Sequence, residues 1–513
     1  MLNFNKKYIE YTNEYFNSFK QLIINHYYGI KSLYLFVIIL FQLKHLFQHK
    51  LFNNEEYLEK IKNNILNCGC ISIKFTQWIV SKLKGSDNYK DYENIINIFE
   101  ELFDNCKYHD FEYTNNIFKK SIKKELKDVF DMDEFKVIAS GSIGQVYKTR
   151  FIDDKFYNSN LSDIINIDSD NFNKDVILKV RHPYIDYIKS YQMLLIYILV
   201  IMQKIDYFKV KYHLHFNFFD FIDNINNQID FNIEAFNCNK MYNSYKNNEL
   251  VVIPKIYNFN KDIIISSYEN GEYIFDISEY QKCKAAINVL CLVNKMCLVD
   301  NFMHGDMHIK NWKVRPFKNT YQIILYDFGI CFNGPSLDFN KKLWRYGEEQ
   351  NIKNIINIFI DNNIHYSSKE ELTEKLYETF RTLCQEPFNM NIVFNKLIII
   401  FSNYNLIINN LFLNVIIFLC LIEDIFKKTN IICQDNKIIG INGIIKNQKL
   451  DMLTFCKTYN CYTELIPILE EDLNYFQNKE DNSETSNNFK TNMFDSYKLS
   501  NFNFSNPDEL EDL

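Results

Sequence analysis

His304-Gly305-Asp306-Met307-His308-Ile309-Lys310-Asn311, followed by Asp327-Phe328-Gly329, decides the reading of this chain. An Asp, an Asn five residues later, and a strand-like run ending in Asp-Phe-Gly set out hard oxygen ligands at fixed intervals. Phosphoryl transfer is mostly positioning and charge neutralisation. Its site needs carboxylate and amide oxygens on Mg2+ and one carboxylate near the attacking oxygen. Asp306 is the candidate base or nucleophile-orienting carboxylate, and Asn311 and Asp327 are the candidate metal ligands. Tyr321 to Tyr326 reads as the strand that delivers Asp327. Either motif alone is equally a surface turn; their order and spacing carry the reading.

This order resembles the active-site pattern of the protein-kinase fold. Upstream, strand signals begin at Phe135-Lys136-Val137-Ile138 and run into Ala139-Ser140-Gly141-Ser142-Ile143-Gly144-Gln145-Val146. Against the loop pattern G-x-G-x-x-G-x-V this keeps Gly141, Gly144 and Val146, with Ala139 in place of the first Gly. Small residues there, Ser140 and Ser142 included, let backbone N–H groups approach ATP phosphates. Taken alone, the stretch is also a good hairpin turn. Residues 151–174 are polar and read as a hairpin insertion.

The chain returns with Val176-Ile177-Leu178-Lys179-Val180, which resembles the V-A-I-K strand and places Lys179 at the α- and β-phosphates. A Lys inside an apolar strand is costly unless paired. Asn224 to Tyr242 reads as one helix offering Asp230 and Glu234, four apart and so on one face. Val251 to Ile253 and Ile263 to Ile265 read as strands. Ser266 to Ile274 reads as the link between two lobes, with Glu269 at the adenine edge. Helices are read at Glu93 to Asp104, Asn115 to Phe130, Tyr187 to Met202, Lys282 to Asn301, Asn351 to Asp361, Lys369 to Cys384, Asn409 to Phe426 and Leu450 to Leu469. From Phe476 to Leu513, eight acids stand against three Lys among many Asn and Ser, which predicts a disordered acidic tail.

The bulk properties narrow the class. Only 7 Pro and 12 Gly in 513 residues argue against an all-β protein rich in tight turns. A net charge of −7 gives no basis for nucleic-acid binding. Thirteen scattered Cys point to an intracellular, reducing compartment. Cys68 and Cys70 lack a partner pair at zinc-site spacing and read as ordinary thiols, and His213 and His215 lack a third ligand. Leu33 to Leu43 is an apolar run of about eleven residues, short of the ~20 that span a bilayer. With six Lys against two Glu in residues 1–50, this segment is either a buried amphipathic helix or a membrane-surface helix with a basic face.

Taken together, the motifs resemble those of the UbiB/AarF-domain family of atypical protein-kinase-like proteins, associated with coenzyme Q. The resemblance covers roughly residues 65–430. Lys74-Phe75-Thr76-Gln77 is similar to the family's K-x-G-Q helix, with Thr76 in place of Gly. Gln228-Ile229-Asp230 resembles E-x-D with Gln in place of Glu, and Ile233-Glu234-Ala235 resembles the run that follows it. By that match Glu234 is the partner of Lys179. His304 to Asn311, including His308, resembles H-G/A-D-x-H-P-G-N, with Ile309-Lys310 in place of Pro-Gly.

The resemblance implies an α+β, two-lobed protein-kinase-like fold with a small β-rich N-lobe, a helical C-lobe and an N-terminal helical extension. It sets residues 1–64 as an N-terminal helical segment and 65–134 as the extension carrying Lys74 and Gln77. The N-lobe is 135–272, the C-lobe 273–475 and the tail 476–513. It implies Mg2+ and ATP as cofactors and a γ-phosphate transferred or hydrolysed, with a lipid-like substrate or a membrane surface as partner. An ordinary Ser/Thr protein kinase and a nucleotide-gated membrane scaffold with little turnover stand beside it as alternatives.

Overall fold

The computed structural model describes residues 2–84, 89–103, 106–152, 175–203, 225–308, 310–348, 352–360, 372–378, 414, 415, 418 and 445–483. The polar insertion from 153 to 174, His213 and His215, most of the helices expected at 369–384 and 409–426, and the chain from 484 onward lie outside these residues. The chain divides into two compact units: 1–235 with 256–268, and 236–255 with 269–513.

The first unit opens on helices. α1 (Leu2–Gln48) is followed by α2 (Glu55–Cys68), α3 (Cys70–Lys84) and α4 (Glu93–Glu100). α2 shows why these segments are helical. The Asn54 side chain accepts from the Tyr57 N–H at 3.0 Å, Glu55 and Glu56 sit at the positive end, and Leu58, Ile61 and Ile65 form one buried stripe. Gly69, at φ 106°, stops it.

The inward face of α1, Phe36, Ile39, Leu43 and Leu46, packs into the same core. Phe19, Ile23, Tyr27, Ile30, Tyr34 and Phe41 are exposed along the opposite face. The apolar helix is longer than the run read from the sequence. Within its 30 residues Phe19–Gln48 an 18-residue stretch reaches a mean hydropathy of 1.6, so it is long and apolar enough to cross a membrane by length and composition. Cys68 and Cys70 are buried thiols, each pushed up to about 12 by desolvation.

α5 (Phe111–Ile122) starts on Asp110, which accepts the Tyr113 N–H at 2.7 Å. The expected helix from Asn115 to Phe130 ends early. Lys123 takes a left-handed conformation (φ 64°), and a single 3-10 turn, Leu126–Asp128, is closed by a Glu125/Asp128 capping box. Next come β1 (Lys136–Ser140), β2 (Gly144–Arg150), β3 (Asp175–Arg181), α6 (Ile185–Gln203) and α7 (Phe231–Tyr245), whose last turns belong to the second unit.

The helix expected over Asn224 to Tyr242 is broken. Residues 225–229 are helical, Asp230 is not, and its Oδ1 accepts the Asn232 N–H at 3.0 Å, as an N-cap does for α7. β4 (Val251–Val252) belongs to the second unit; β5 (Ile256–Phe259) and β6 (Ile263–Ser267) complete a five-stranded antiparallel sheet ordered β1-β2-β3-β6-β5. Period-two alternation sends Val176, Leu178 and Val180 of β3 into a core with Phe118, Phe130, Tyr147 and Ile265. Lys179 therefore faces the other side, opposite Val146 and Ile264.

In the second unit, α8 (Glu279–Lys295) begins with a Ser278/Gln281 capping box. A π-helical turn, Met296–Asp300, extends it until Asn301 turns left-handed (φ 47°). β7 (Phe302–His304), β8 (Trp312–Phe317), β9 (Thr320–Leu325) and β10 (Cys331–Asn333) follow. β9 lies between parallel β4 and antiparallel β8, and β10 pairs with β7. α9 (Leu337–Glu348) and α10 (Ile352–Ile360) come next. The helix expected from Leu450 to Leu469 is two helices, α11 (Ile445–Tyr459) and α12 (Ile466–Ser483). They are parted where Asn460 and Tyr462 turn left-handed (φ 49° and 48°). α12 carries helix past Phe476, where a disordered tail was expected to begin.

Phe130 is fully buried and stacks on Phe151 at 5.4 Å. Phe130→Ala is expected to lower the urea-unfolding free energy of the first unit by about 3–5 kcal/mol, the cost of a lost ring plus its cavity. A loss below about 1 kcal/mol would place the ring outside the core.

Candidate active site

In the first unit the structure brings Lys179 and Glu234 together. The Lys179 Nζ donates to Glu234 Oε1 at 2.6 Å and Oε2 at 2.8 Å, and it sits 5.1 Å from the centre of the Phe231 ring. β3 fixes the Lys by register, and the Asp230 cap fixes the start of α7, so that Glu234 falls in its first turn. Both side chains are largely buried. A buried charge so far from water needs such a partner.

The turn from Ser140 to Gly144 joins β1 to β2. Ala139 pairs with Val146 beside a β-bulge, Ser140 is buried, and Gly141 N–H donates to Gly144 O at 3.0 Å. Ser142 is half-buried at its tip. A Cβ on Gly144 would stand 2.9 Å from both the Phe231 ring and the Val180 carbonyl, so glycine alone allows this approach. A Cβ on Gly141 would meet nothing closer than 3.8 Å.

Two histidines absent from the sequence reading lie against this turn. His109 Nδ1 and His182 Nδ1 are 2.8 Å apart, and His182 Nε2 donates to the Gly141 carbonyl at 3.0 Å. Burial, and then the neighbouring His182, pull His109 down to about 3; burial also lowers His182. His109 and His182 are far apart in sequence and belong to no motif, so only the fold pairs them. Among the family-motif residues, Lys74 and Gln77 are half-buried on α3, and Gln228 is buried at the end of the short helix before Asp230. Thr76 hides its hydroxyl by donating to the Ser72 carbonyl at 2.8 Å.

In the second unit, β7 carries His304 into full burial. Its Nε2 donates to the Tyr326 carbonyl at 2.9 Å, and its Nδ1 accepts the Asp306 N–H at 3.3 Å, which fixes the neutral tautomer. Burial lowers its pKa. His304 thus ties the turn of Asp306 to the strand end that precedes Asp327. A Cβ on Gly305 would come within 2.7 Å of Ile330 and 2.9 Å of Phe332.

The Asn311 Nδ2 donates to the Asp306 carbonyl at 2.9 Å and to Asp306 Oδ2 at 3.2 Å. With its amide N–H groups so used, Asn311 presents Oδ1 as its acceptor edge. His308 Nε2 lies 3.7 Å from Asp306 Oδ2, and His308 Nδ1 accepts the Lys310 N–H at 3.2 Å. Asp327 is exposed and left-handed (φ 53°), and its Oδ1 accepts the Gly329 N–H at 3.2 Å. Phe328 is buried, and its carbonyl accepts from Asn237 at 2.9 Å.

Glu269 pairs with Arg315 at 3.4 Å, and its carbonyl accepts from the Tyr326 hydroxyl at 2.7 Å. Glu269 is the residue expected at the adenine edge, and one lone pair of its carbonyl is already engaged. Among the described residues no group of three His, Cys, Asp or Glu could hold a metal ion by itself. A magnesium that arrives on phosphates needs only one or two side-chain oxygens from the protein, and the carboxylate and amide oxygens of Asp327 and Asn311 are of the hard type it takes.

This is a kinase-like fold, and comparison with known proteins agrees. Residues 169–345 match the family model of the ABC1 atypical kinase-like domain, so the AarF-type resemblance is borne out over that segment. The chain is 29% identical over 254 residues to "Probable serine/threonine-protein kinase abkC" of Dictyostelium discoideum, covering 48% of this chain and 33% of the relative. It is 22% identical over 227 residues to "AarF domain-containing protein kinase 1" of Gallus gallus, covering 42% and 39%. The matched part thus spans between about a third and two-fifths of the length of these relatives. Among solved structures, an erythromycin complex of Rv3197 from Mycobacterium tuberculosis aligns at 16% identity with a TM-score of 0.35, covering 54% of this chain and 68% of that one. A Rio2 kinase complex from Chaetomium thermophilum aligns at 11% identity with a TM-score of 0.26, covering 66% and 85%.

The neutral histidines make stability depend on pH. A folded pKa held below the ordinary value near 6.5 means that the unfolded chain binds more protons in that window. His109 therefore contributes its full stability above about pH 6.5 and loses it as pH falls towards about 3. Denaturant titrations across this range are expected to show stability falling with acid, and His109→Gln to remove part of the slope. An unchanged slope in the variant would contradict a neutral His109.

Proposed function

We propose that this chain is an atypical kinase or ATPase that binds Mg-ATP and transfers or hydrolyses its γ-phosphate. The observation that carries the reading is Lys179, set in an apolar strand and held by both carboxylate oxygens of Glu234. Fixed in this way, Lys179 contacts the α- and β-phosphates. The turn from Ala139 to Gly144 covers the phosphates, with Val146 beneath the nucleotide and Glu269 near the adenine. Asn311 and Asp327 hold Mg2+, which neutralises the phosphate charge when bound. Asp306, steadied by the Asn311 amide, orients the attacking oxygen. Lys74, Gln77, Gln228 and Asp230, read from family motifs, narrow access to the γ-phosphate and favour a small or lipid-like acceptor, or water, over a protein hydroxyl.

The exposed apolar face of α1 supports a place on a membrane. Exposed Lys20, Lys31 and Lys44 flank it, and the opposite face is packed in the first unit, so the helix lies along the surface rather than spanning it. The scaffold alternative uses the same surface with little turnover.

Thermal shift and phosphate release, with and without anionic vesicles, test the reading. Asp327 is exposed, and Asn also tolerates the left-handed region, so Asp327→Asn is expected to fold. It is expected to lose the Mg-ATP shift and to lower turnover at least about 100-fold, the order seen when a charge-stabilising group is removed. Gln228→Glu is expected to change either by less than about tenfold. Equal nucleotide behaviour of wild type and Asp327→Asn would sink the assignment; a full shift without phosphate release would favour the scaffold.

A further inference from the structure

The turn between β1 and β2 is held from within the first unit by a hydrogen-bond relay whose direction the chemistry fixes. A carbonyl only accepts, so the 3.0 Å contact between His182 Nε2 and Gly141 O requires the proton on Nε2. A neutral His182 then has a bare Nδ1, which must accept from His109 Nδ1 at 2.8 Å. His109 in turn has a bare Nε2, which accepts from the Thr114 hydroxyl at 2.9 Å.

The Thr114 oxygen accepts from the Tyr147 hydroxyl at 2.6 Å, and that oxygen accepts from the Gln145 amide at 2.6 Å. The Gln145 Oε1 closes the ring by accepting the His109 N–H at 2.9 Å. Backbone contacts run in parallel: the Cys106 N–H donates to Ser140 O at 3.2 Å, and the His182 N–H donates to Ile143 O at 2.9 Å. A trans peptide points its C=O and its N–H in opposite directions. Pinning the Gly141 carbonyl inward therefore aims the Ser142 N–H outward from the turn.

We propose that His109 and His182 are positioning residues for nucleotide, holding the Gly141–Ser142 peptide so that the Ser142 N–H meets a phosphate oxygen. The assignment rests on the Mg-ATP reading of this turn. Neither histidine touches the nucleotide; each acts through the peptide that it orients. Such an N–H, aimed before the ligand arrives, strengthens phosphate binding and leaves adenosine binding alone.

Calorimetry with Mg-ATP and with adenosine, on full-length wild type, His182→Phe and His182→Gln, tests this. His182→Phe keeps a ring but has neither donor nor acceptor, and it is expected to weaken Mg-ATP about tenfold, the scale of one hydrogen bond to a charged group, while adenosine binds within about twofold of wild type. His182→Gln can still donate to the carbonyl and is expected to recover most of the loss. Amide hydrogen exchange over residues 139–146 is expected to quicken in His182→Phe. Thr114→Val, which cuts the relay at its far side, is expected to give the same pattern should His182→Phe fail to fold. Wild-type Mg-ATP affinity in His182→Phe, or an equal loss for adenosine, would overturn the positioning role alone. A wild-type chain that binds no Mg-ATP would overturn the nucleotide reading and the positioning role with it.

Discussion

A lysine in the middle of a buried strand is the constraint on which the candidate site depends. Lys179 stands between Leu178 and Val180, both fully buried on the opposite face of the sheet. Its ammonium can remain charged there only with a partner, and Glu234 supplies both oxygens. Such a pair adds little net stability, because desolvation offsets the attraction, while removing one member costs about 3–5 kcal/mol. A well-packed apolar pair would stabilise this strand as well. A charge kept in this place is better explained by what it can bind than by what it contributes to folding.

The pair also dictates local structure around it. Glu234 must fall in the first turn of its helix, so the chain breaks at Asp230, whose side chain caps the new start. The same turn brings the Phe231 ring against Gly144, where no other residue fits. In the second unit a buried neutral histidine plays the corresponding part. His304 joins the Asp306 turn to the strand end before Asp327, and Asn311 braces Asp306 from the other side. Each half thus uses a buried polar contact to set the direction of an outward-facing group.

Some of this was legible in the sequence because the chemistry is local. The cost of Lys179 in an apolar run announced a carboxylate partner, and the spacing of Asp306, Asn311 and Asp327 marked a candidate base and two candidate metal ligands. The kinase-like class followed from their order. Helix ends were less legible: Lys123, Asn460 and Tyr462 stop helices by turning left-handed, which nothing in their residue types requires. β8 alternates Trp312 and Val314 inward with Lys313 and Arg315 outward, but Pro316 and two charges weaken its strand signal, and it was not read from the sequence. The His109–His182 contact has no sequence signal, since it joins a loop before α5 to the end of β3. The length of α1 was hidden by polar residues such as Lys31, Gln42 and Lys44, which interrupt the apolar run but not the helix.

The central claim is that Lys179 lies beside the phosphates of a bound nucleotide. An ATP acyl-phosphate, which passes its acyl group to a lysine amine next to the phosphate chain, tests this most directly. Digestion and mass spectrometry should find the acyl group on Lys179 Nζ, and excess Mg-ATP should abolish the labelling. Acylation confined to surface lysines, or labelling of Lys179 that Mg-ATP does not reduce, would contradict the account.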